Sequence, residues 1–595
     1  MTSRLELWCG LLTCALLAAS STSCARRIRP YSIEGPVWRD EDDFTPFVPR
    51  PSVYYSPAYW DGADNMVFRP TARVFAFDPG GEAINVNSMD EVPDSSWFEN
   101  RLTKQWMSPE RVARGACGEY PLDPSGPWTI TSAKPDGAYP GFVIKDQRGR
   151  TYLLKFDDDL QRERSSAGDV IGSIIYWAAG YHAPCNEVVY FEEDILQLSE
   201  NATEKVYGKK VPLTWERLEP MFAKREVEPD GTIRAMASRF VEGKPLGPWR
   251  YESVRDDDPN DIVPHEDRRE LRGAYVLASW ISHVDSREQN SLSTWVTAEG
   301  SSAGYVRHNI IDFGDAFGNW SAFTGIPERY GHTYYFDATF VLQDFVTFGA
   351  IPRPWRDAEL GPTGHVLAYY DVKTFEPDKF KTGYQNPAFI RATERDKAWM
   401  TRIVAKFTPE VLQAVLAQAQ VKDPLVHSEL TRILLGRREK ILRRWFRNLS
   451  PLTDPTLRQA ETGTEVCLED LALATGIVDR KARLYGTRGW YLSKHSKPRD
   501  VRVESLRALP DNVICVLLPD MKGASPDRPA YLIVDVLGFD GQDDDHSRPA
   551  RVHVYQRGPR AYVIAGLQRP YKLRTPNGKD QHYPRSLALV RLAEF

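Results

Sequence analysis

The sequence predicts an α+β fold in which a two-lobed body is followed by a smaller β-sandwich-like domain at the C-terminus. Short alternating apolar strands dominate residues 128–245, and helical spacing of apolar residues dominates residues 246–455. Strands separated by turn residues return in residues 460–595. We therefore expect a β-rich N-lobe, a helical C-lobe and a separate β-rich domain.

Length and composition indicate a globular protein with several domains. The chain has 595 residues, of which 42% are hydrophobic and 26% are charged, a size that suits roughly two to four domains. The formal net charge is −5, from 76 basic and 81 acidic residues. Because the chain has no basic surplus, we expect no nucleic-acid partner.

The N-terminus predicts export. Residues 1–23 contain an apolar run over 7–19 followed by small residues, which is typical of a signal peptide. The stretch "LLAASSTSC" resembles a bacterial lipobox, and this resemblance implies lipidation at Cys24. It departs from the usual pattern at Ser21, where an aliphatic residue is common. Cleavage after Ser23 without lipidation stays open as the alternative.

We expect a membrane-anchored lipoprotein of the bacterial cell envelope. The outer membrane is favoured because Ala25 gives no acidic retention signal, and a secreted or periplasmic soluble protein is the alternative. Residues 24–127, rich in Pro, Tyr and acidic residues, predict an extended region that packs on the body. The disulfide state of the remaining cysteines stays open, between free thiols and one or two bridges. These cysteines are Cys117, Cys185, Cys467 and Cys515.

The elements of the N-lobe follow from local patterns. "GFVIKD" and "TYLLKFD" predict two strands joined by a hairpin over Gln147–Arg150. The apolar residues Val170, Ile171 and Ile174 then follow helical spacing, and Gly180 is placed to end that helix.

The C-lobe and the last domain follow in the same way. "RRELRGAYVLASWISHV" predicts a buried helix, and "NSLSTWV" and "YVRHNIIDFG" predict two strands around a turn at 299–302. Three helices are expected after Pro387, with N-caps that include Thr408 and Asp423. Runs such as "NVICVLLPD" and "AYLIVDVLGF" predict the strands of the last domain.

Five polar residues stand in an order that suits phosphoryl transfer. Lys155 lies within a predicted strand, between Leu154 and Phe156, and Glu163 enters the following helix. Asp285 and Asn290 are five residues apart in "DSREQN", and Asp312 opens an Asp-Phe-Gly triplet after an apolar strand. Such a reaction needs a lysine on phosphate, a carboxylate that positions it, an aspartate on the attacking hydroxyl, and an asparagine and an aspartate on metal ions.

This order resembles the atypical protein-kinase-like superfamily, close in style to HipA-like and phosphatidylinositol-kinase-like proteins. The resemblance covers roughly residues 128–450. It implies that Lys155 binds ATP phosphates with Glu163 as its partner, and that Asp285 is the catalytic base. It also implies that Asn290 and Asp312 bind magnesium. The implied hinge, whose backbone would face adenine, consists of Ser238, Arg239, Phe240 and Val241.

The chain departs from the kinase pattern in its glycine loop. No G-x-G-x-x-G motif precedes Lys155, and only Gly137 and Gly141 could bring backbone N–H groups to phosphate. Val284 stands where many kinases have arginine. Glu163 lies between two arginines and could equally be a surface charge of the helix.

Two functions follow from these observations. The first is a kinase-like phosphotransferase that binds Mg-ATP between the lobes and acts on an unidentified acceptor. The alternative is a catalytically inactive, pseudokinase-like envelope lipoprotein that serves as a binding or scaffold module. Retention of all five polar positions favours the enzyme, whereas export to a compartment with little ATP favours the scaffold.

Overall fold

The computed structural model divides the chain into two compact units. The larger unit comprises Val37–Asn87 and Glu91–Arg447, and the smaller comprises Met1–Pro36, Ser88–Asp90 and Asn448–Phe595. The structure describes residues 29–591 except 56–57, 76–79, 135–140, 158–160, 207–208, 224, 319–326, 493–497, 504–505, 510, 542–547 and 571–589. Within these residues, no helix has both the length and the apolar character that a membrane span requires.

The larger unit contains an eight-stranded sheet with the strand order β4-β8-β3-β2-β1-β5-β6, in which β7 also pairs with β8. Its strands are β1 (Trp128–Ala133), β2 (Gly141–Lys145), β3 (Thr151–Lys155), β4 (Asn186–Phe191), β5 (Leu196–Val206), β6 (Lys209–Pro212), β7 (Glu226–Val227) and β8 (Ile233–Arg239). The hairpin expected between β2 and β3 is confirmed, because these strands pair antiparallel. Asp146 closes its turn by accepting hydrogen bonds from the backbone N–H groups of Arg148 and Arg150.

A three-stranded sheet follows in the same unit, in the order β11-β10-β9. Its strands are β9 (Lys244–Gly247), β10 (Ser291–Thr297) and β11 (Gly304–Ile310). β10 and β11 pair antiparallel along their whole length, as the sequence predicts. The chain enters this sheet from β8 through only four residues, 240–243, and it leaves β11 at Ile310, two residues before Asp312.

Twelve α-helices lie in the described part of the larger unit. They are α1 (Ala58–Ala63), α2 (Arg69–Phe75), α3 (Pro109–Ala113), α4 (Arg164–Ala179), α5 (Trp215–Phe222), α6 (Arg269–Ile281), α7 (Ala338–Thr347), α8 (Gly364–Leu367), α9 (Pro387–Arg391), α10 (Glu394–Ala405), α11 (Pro409–Ala417) and α12 (Pro424–Phe446). The predicted N-caps are confirmed: Thr408 accepts a hydrogen bond from the N–H of Val411, and Asp423 accepts one from that of Leu425. Every residue of α4 and α6 is buried, so both helices form part of the core.

The smaller unit contains a four-stranded sheet, β12-β13-β17-β16, and a six-stranded sheet, β15-β14-β18-β19-β20 with β21 on β14. The strands are β12 (Leu452–Ala460), β13 (Gly463–Asp470), β14 (Leu484–Leu492), β15 (Arg499–Val501), β16 (Leu506–Ala508), β17 (Val513–Leu517), β18 (Ala530–Phe539), β19 (Ala550–Gly558), β20 (Ala561–Gln568) and β21 (Val590–Arg591). A short helix, α13, spans Leu471–Ala474. Residues of both sheets share one core that includes Val466, Val516, Val534 and Val552.

Two disulfides resolve the question that the sequence leaves open about the cysteines. Cys117 pairs with Cys185 in the larger unit, and Cys467 pairs with Cys515 across β13 and β17 in the smaller unit. The structure therefore has two bridges and leaves none of these four thiols free. Together the fold is of the mixed α+β class that the sequence predicts.

Candidate functional site

Lys155 is the centre of a buried charge cluster in the larger unit. It is the last residue of β3, and its register partners are Gly141 on β2 and Met236 on β8. Its ammonium donates to Asp169 Oδ2 at 3.0 Å and to Asp312 Oδ1 at 2.8 Å. Burial alone would lower the pKa of Lys155, but the two carboxylates outweigh burial and raise it above its ordinary value.

Asp169, and not Glu163, is the helix carboxylate that holds Lys155. The expectation that Glu163 would do so is wrong. Glu163 precedes α4, and its carboxylate faces Lys422, accepting from that residue's backbone N–H at 3.0 Å and lying 3.4 Å from its ammonium. Asp169 lies six positions after Glu163, which is not a whole number of helical turns, and Glu163 stands before the helix with a left-handed backbone. Burial raises the pKa of Asp169, although the Lys155 ammonium opposes this shift.

Glycines let α4 approach the Asp-Phe-Gly segment closely. A Cβ at Gly172 would lie 2.5 Å from Phe313 Cβ, and one at Gly168 would lie 2.9 Å from the Phe313 carbonyl oxygen. A Cβ at Gly314 would lie 2.8 Å from Ser165 Oγ. This contact brings the backbone N–H of Phe313 to 2.8 Å from Asp169 Oδ1. The same carboxylate therefore fixes both Lys155 and the segment that begins at Asp312.

Asp312 presents an ionised carboxylate at the edge of this cluster. Its backbone is left-handed, with φ of 60°, a conformation that aspartate tolerates better than most residues. Its side chain is 48% exposed, in contrast to the buried Asp169. The Lys155 ammonium lowers the pKa of Asp312 to about 2, and Lys134 contributes in the same direction. The sequence reasoning did not select Lys134, the residue that follows β1.

Asp285 and Asn290 meet, as their spacing suggests. Asn290 Nδ2 donates to the backbone oxygen and to Oδ2 of Asp285, both at 2.9 Å. Arg287 Nε lies 2.8 Å from Asp285 Oδ1. Burial raises the pKa of Asp285 to about 6, and the Arg287 charge opposes this shift. A carboxylate with that pKa is suited to accept a proton near neutral pH.

Asp315 completes the cluster and was missed by the sequence reasoning. Its Oδ2 accepts from the backbone N–H of Asp285 at 2.8 Å, and its Oδ1 lies 3.4 Å from Nε2 of the buried His283. Burial raises the pKa of Asp315 to about 7, and the nearby Asp312 charge adds to the effect. The available signal was a second aspartate three residues after Asp312 in "DFGDAFG".

The glycine loop is described only at its end. Gly137 lies outside the described residues. Gly141 begins β2, where a Cβ would lie 2.2 Å from the Leu154 carbonyl oxygen, so its glycine is required by strand packing. The backbone N–H of Lys134 donates to the Gly141 carbonyl at 3.0 Å, which holds the two ends of the loop together.

In chain order, the predicted hinge residues connect the eight-stranded sheet of the larger unit to its three-stranded sheet. Ser238 and Arg239 end β8, and Phe240 and Val241 begin the short connection to β9. The Arg239 N–H donates to the Cys185 carbonyl, and the Phe240 N–H donates to that of Thr151. These bonds tie the segment to the disulfide-linked region and to β3.

An N-terminal segment contacts the loop that carries Asp285. Asp61 on α1 lies 3.5 Å from Arg287 Nη1. Arg69 Nη1 donates to Glu288 Oε2 at 2.9 Å, and the Tyr54 hydroxyl donates to Glu288 Oε1 at 2.7 Å. The N-terminal region, expected to be extended, is helical over residues 58–75, and it contributes directly to the surroundings of the candidate base.

The side-chain oxygens of Asn290 and Asp312 fit a magnesium ion that is also coordinated by phosphate oxygens of a substrate. The amide N–H groups of Asn290 donate to Asp285. Within the described residues, the amide oxygen of Asn290 accepts no hydrogen bond. This oxygen and the half-exposed Asp312 carboxylate are oxygen donors of the type that Mg²⁺ prefers alongside substrate phosphates. Among the described residues, the one compact trio of His, Cys, Asp or Glu ligand atoms is Glu465, Cys467 and Cys515, whose cysteines are disulfide-bonded.

Comparison with known proteins gives solved structures only. No family model matches the chain, and no curated protein matches it. A crystal structure of the Golgi casein kinase matches with 10% identity over 66% of this chain and 90% of that chain, at a TM-score of 0.26. The Rio2 kinase-ADP/Mg2+-phosphoaspartate complex from Chaetomium thermophilum matches with 16% identity over 49% of this chain and 71% of that chain, at 0.17. The Golgi casein kinase with Mn/ADP bound matches with 9% identity over 50% and 75%, at 0.18. Similarities of this size do not assign the chain to a family.

Proposed function

We propose that this chain is a kinase-like phosphotransferase that binds Mg-ATP in a cleft between a β-rich lobe and a helical lobe. The observation that carries the proposal is the contact of one buried lysine with two carboxylates from distant parts of the chain. Lys155 meets Asp169 of α4 and Asp312 after β11 at 3.0 and 2.8 Å. A lysine held in this way can neutralise phosphate charge at a fixed position.

The remaining residues would have distinct roles in this reaction. Asp312 and Asn290 would hold the magnesium ion, which supplies charge stabilisation to the transferring phosphoryl group. Asp285 would accept the proton of the acceptor hydroxyl while that oxygen forms its bond to the γ-phosphorus and ADP leaves. Asp315, bonded to the backbone of Asp285, would hold this base in position. The backbone of residues 238–241 would face the adenine.

A location in the cell envelope is part of the proposal. We propose cleavage of the signal peptide and lipidation of Cys24, with the outer membrane favoured. Two disulfides support an oxidising compartment, because such bonds persist mainly outside the reducing cytosol. Intact-mass analysis of detergent-extracted protein tests the anchor. A mature chain that begins at another residue, or at an unmodified Cys24, would refute it.

The scaffold alternative also has support. Arg287 lies 2.8 Å from Asp285 and also faces Asp61 of the N-terminal segment, so the candidate base is already engaged without substrate. ATP is also expected to be scarce in an oxidising envelope compartment. A binding module would retain this geometry and have no turnover.

Two variants separate the enzyme from the scaffold. Asp312→Ala removes a charged metal ligand, so it should weaken the magnesium-dependent part of ATP binding. Asp285→Ala should leave binding nearly intact and abolish transfer, because that carboxylate acts on the acceptor hydroxyl. The measurements are an ATP titration with and without magnesium and a phosphotransfer assay on each protein. Wild-type protein that neither binds nor hydrolyses a nucleotide with magnesium or manganese would refute the proposed enzyme.

A further inference from the structure

A cavity in the larger unit lies beside the loop that carries the candidate base. Its volume is about 780 Å³, within the range of small-molecule sites. Residues of α6, α10 and α12 line it, together with loops near residues 330 and 375. Ser282, three residues before Asp285, is part of its wall, whereas Lys155 and Asp312 are not. The cavity is therefore separate from the proposed nucleotide site.

Arg437 supplies a buried positive charge to this cavity. Its side chain is 5% exposed, and its Nε and Nη1 donate to the backbone carbonyls of Asp371 and Ser279 at 2.6 and 3.2 Å. The guanidinium lies over the rings of Tyr370 and Phe375, at 3.9 and 4.4 Å from their centroids. Within the described residues no carboxylate pairs with it, and its Nη2 has no hydrogen-bond acceptor. The Asp371 carboxylate acts on the guanidinium electrostatically without forming an ion pair, so the Nη2 group can still take an anion in the cavity as its hydrogen-bond acceptor.

Two further donors lie near Arg437 in the cavity wall. The half-buried His332 lines the cavity, and burial together with the Arg437 charge lowers its pKa, so the neutral ring retains one N–H to donate. Ser282 is 7% exposed and lies against Gly331, the neighbour of His332. Neither side chain makes a hydrogen bond to another described residue.

The acidic residues of the wall form no ion pair with Arg437. Glu376 lies 2.7 Å from Lys379, and Asp378 pairs with Arg444. The third, Asp357, is exposed. Asp371 and Glu376 act on this region electrostatically, but no described carboxylate forms an ion pair with Arg437.

Aromatic rings dominate another part of the wall. They would contact a planar or apolar ligand body by stacking and by burial of surface. The aromatic residues of the wall include Tyr275, Tyr330, Tyr334, Phe340, Phe375 and Phe380.

We propose that this cavity binds a small phosphate monoester with an aromatic body. The phosphate would accept hydrogen bonds from Arg437 Nη2, the His332 ring and the Ser282 hydroxyl, and the body would lie against the aromatic wall. This site does not depend on the proposed nucleotide site, because the two share no residue.

Calorimetric titration with phenyl phosphate tests the proposal. Inorganic phosphate is the control for the anion alone, and phenol is the control for the aromatic body alone. We expect saturable binding of phenyl phosphate, weaker binding of inorganic phosphate and none of phenol. Arg437→Lys loses the planar fork and His332→Leu loses the ring donor, so each should weaken binding about tenfold, the size expected for one hydrogen bond to a charged group.

Matched controls keep the test specific. Lys373→Met removes a lysine of the same wall that is 70% exposed and pairs with Glu359, so it should leave the affinity unchanged. Asp312→Ala should also leave it unchanged, which separates this site from the nucleotide site. The His332 side chain makes no hydrogen bond to another described residue, so its replacement should leave the fold intact. This variant therefore tests the site even if Arg437→Lys unfolds. Absence of saturable binding, unchanged affinity in His332→Leu, or loss of affinity in Asp312→Ala would each overturn the proposal.

Discussion

Replacement of Asp169 by Asn separates the observed partner of Lys155 from the expected one. Asp169 is buried and accepts from the Lys155 ammonium at 3.0 Å and from the Phe313 N–H at 2.8 Å. Asparagine keeps the shape and can still accept from Phe313, but it removes the charge. The buried ammonium would then have Asp312 as its one remaining carboxylate contact among the described residues.

The size of the effect follows from the burial of the pair. Removal of one partner from a buried ion pair costs about 3–5 kcal/mol. Because Asp312 stays within 2.8 Å of Lys155, we expect the low end, a loss of about 3 kcal/mol in the free energy of unfolding. The affinity for Mg-ATP should also fall, because Lys155 would shift toward Asp312 and away from the phosphate position.

Glu163→Gln is the matched control. Its partner Lys422 is 41% exposed, and such pairs contribute about 0–1 kcal/mol. Urea unfolding and an Mg-ATP titration of wild type, Asp169→Asn and Glu163→Gln measure both effects. If Glu163→Gln weakens stability and ATP binding as much as Asp169→Asn does, the assignment of Asp169 as the lysine partner is refuted.

Three further predictions concern packing, protonation and the disulfide. Gly172→Ala should lower the free energy of unfolding by about 1–3 kcal/mol by overpacking. The control Gly62→Ala, whose Cβ would make ordinary contacts at 3.6 Å, should be near neutral, and equal thermal stabilities of the two variants would contradict this. The folded pKa of Asp315, about 7, is above its ordinary 3.8, so its contribution to stability is full at low pH and is lost as the pH rises through 7. Between pH 5.5 and 8.5 the free energy of unfolding of the wild type should therefore fall by about 2 kcal/mol relative to that of Asp315→Asn. Urea unfolding measures both proteins, and an equal change with pH in the two would contradict this. Joint replacement of Cys117 and Cys185 by alanine should lower the free energy of unfolding by about 2–4 kcal/mol, and an unchanged midpoint under non-reducing conditions would show that the bridge contributes little.

The sequence predicted the elements whose patterns are local. The β2–β3 hairpin, the β10–β11 pair and the N-caps Thr408 and Asp423 all follow from turn residues, alternation and capping chemistry. The Asp285–Asn290 contact was also predictable, because a five-residue spacing in one loop limits how far apart these side chains can be.

The partner of Lys155 could not be predicted in the same way. Its identity depends on the rotation of α4 and on how closely that helix approaches Phe313, which is set by Gly168 and Gly172. Both depend on contacts between segments more than 100 residues apart in the sequence. The buried aspartate in "AGDVIG" was the available signal, since a charged residue inside a buried helix needs a partner.

The disulfide pairing and the cavity lined by Arg437 also depend on tertiary structure and could not be predicted from local patterns. Cysteine spacing does not define connectivity. The lack of an ion pair to Arg437 becomes visible only once its hydrogen-bond and ring partners among the described residues are known to be carbonyls and aromatic rings.

Covalent labelling of a lysine by an acyl phosphate derivative of ATP, followed by peptide mass spectrometry, tests the central claim most directly. The reagent delivers its acyl group to an amine beside the bound phosphates, and the experiment uses the unaltered protein. We predict labelling of Lys155 that excess Mg-ATP suppresses, with the exposed Lys145 on the adjacent strand β2 unlabelled or insensitive to ATP. Absence of labelling at Lys155, or labelling that Mg-ATP does not suppress, would contradict the proposed nucleotide site.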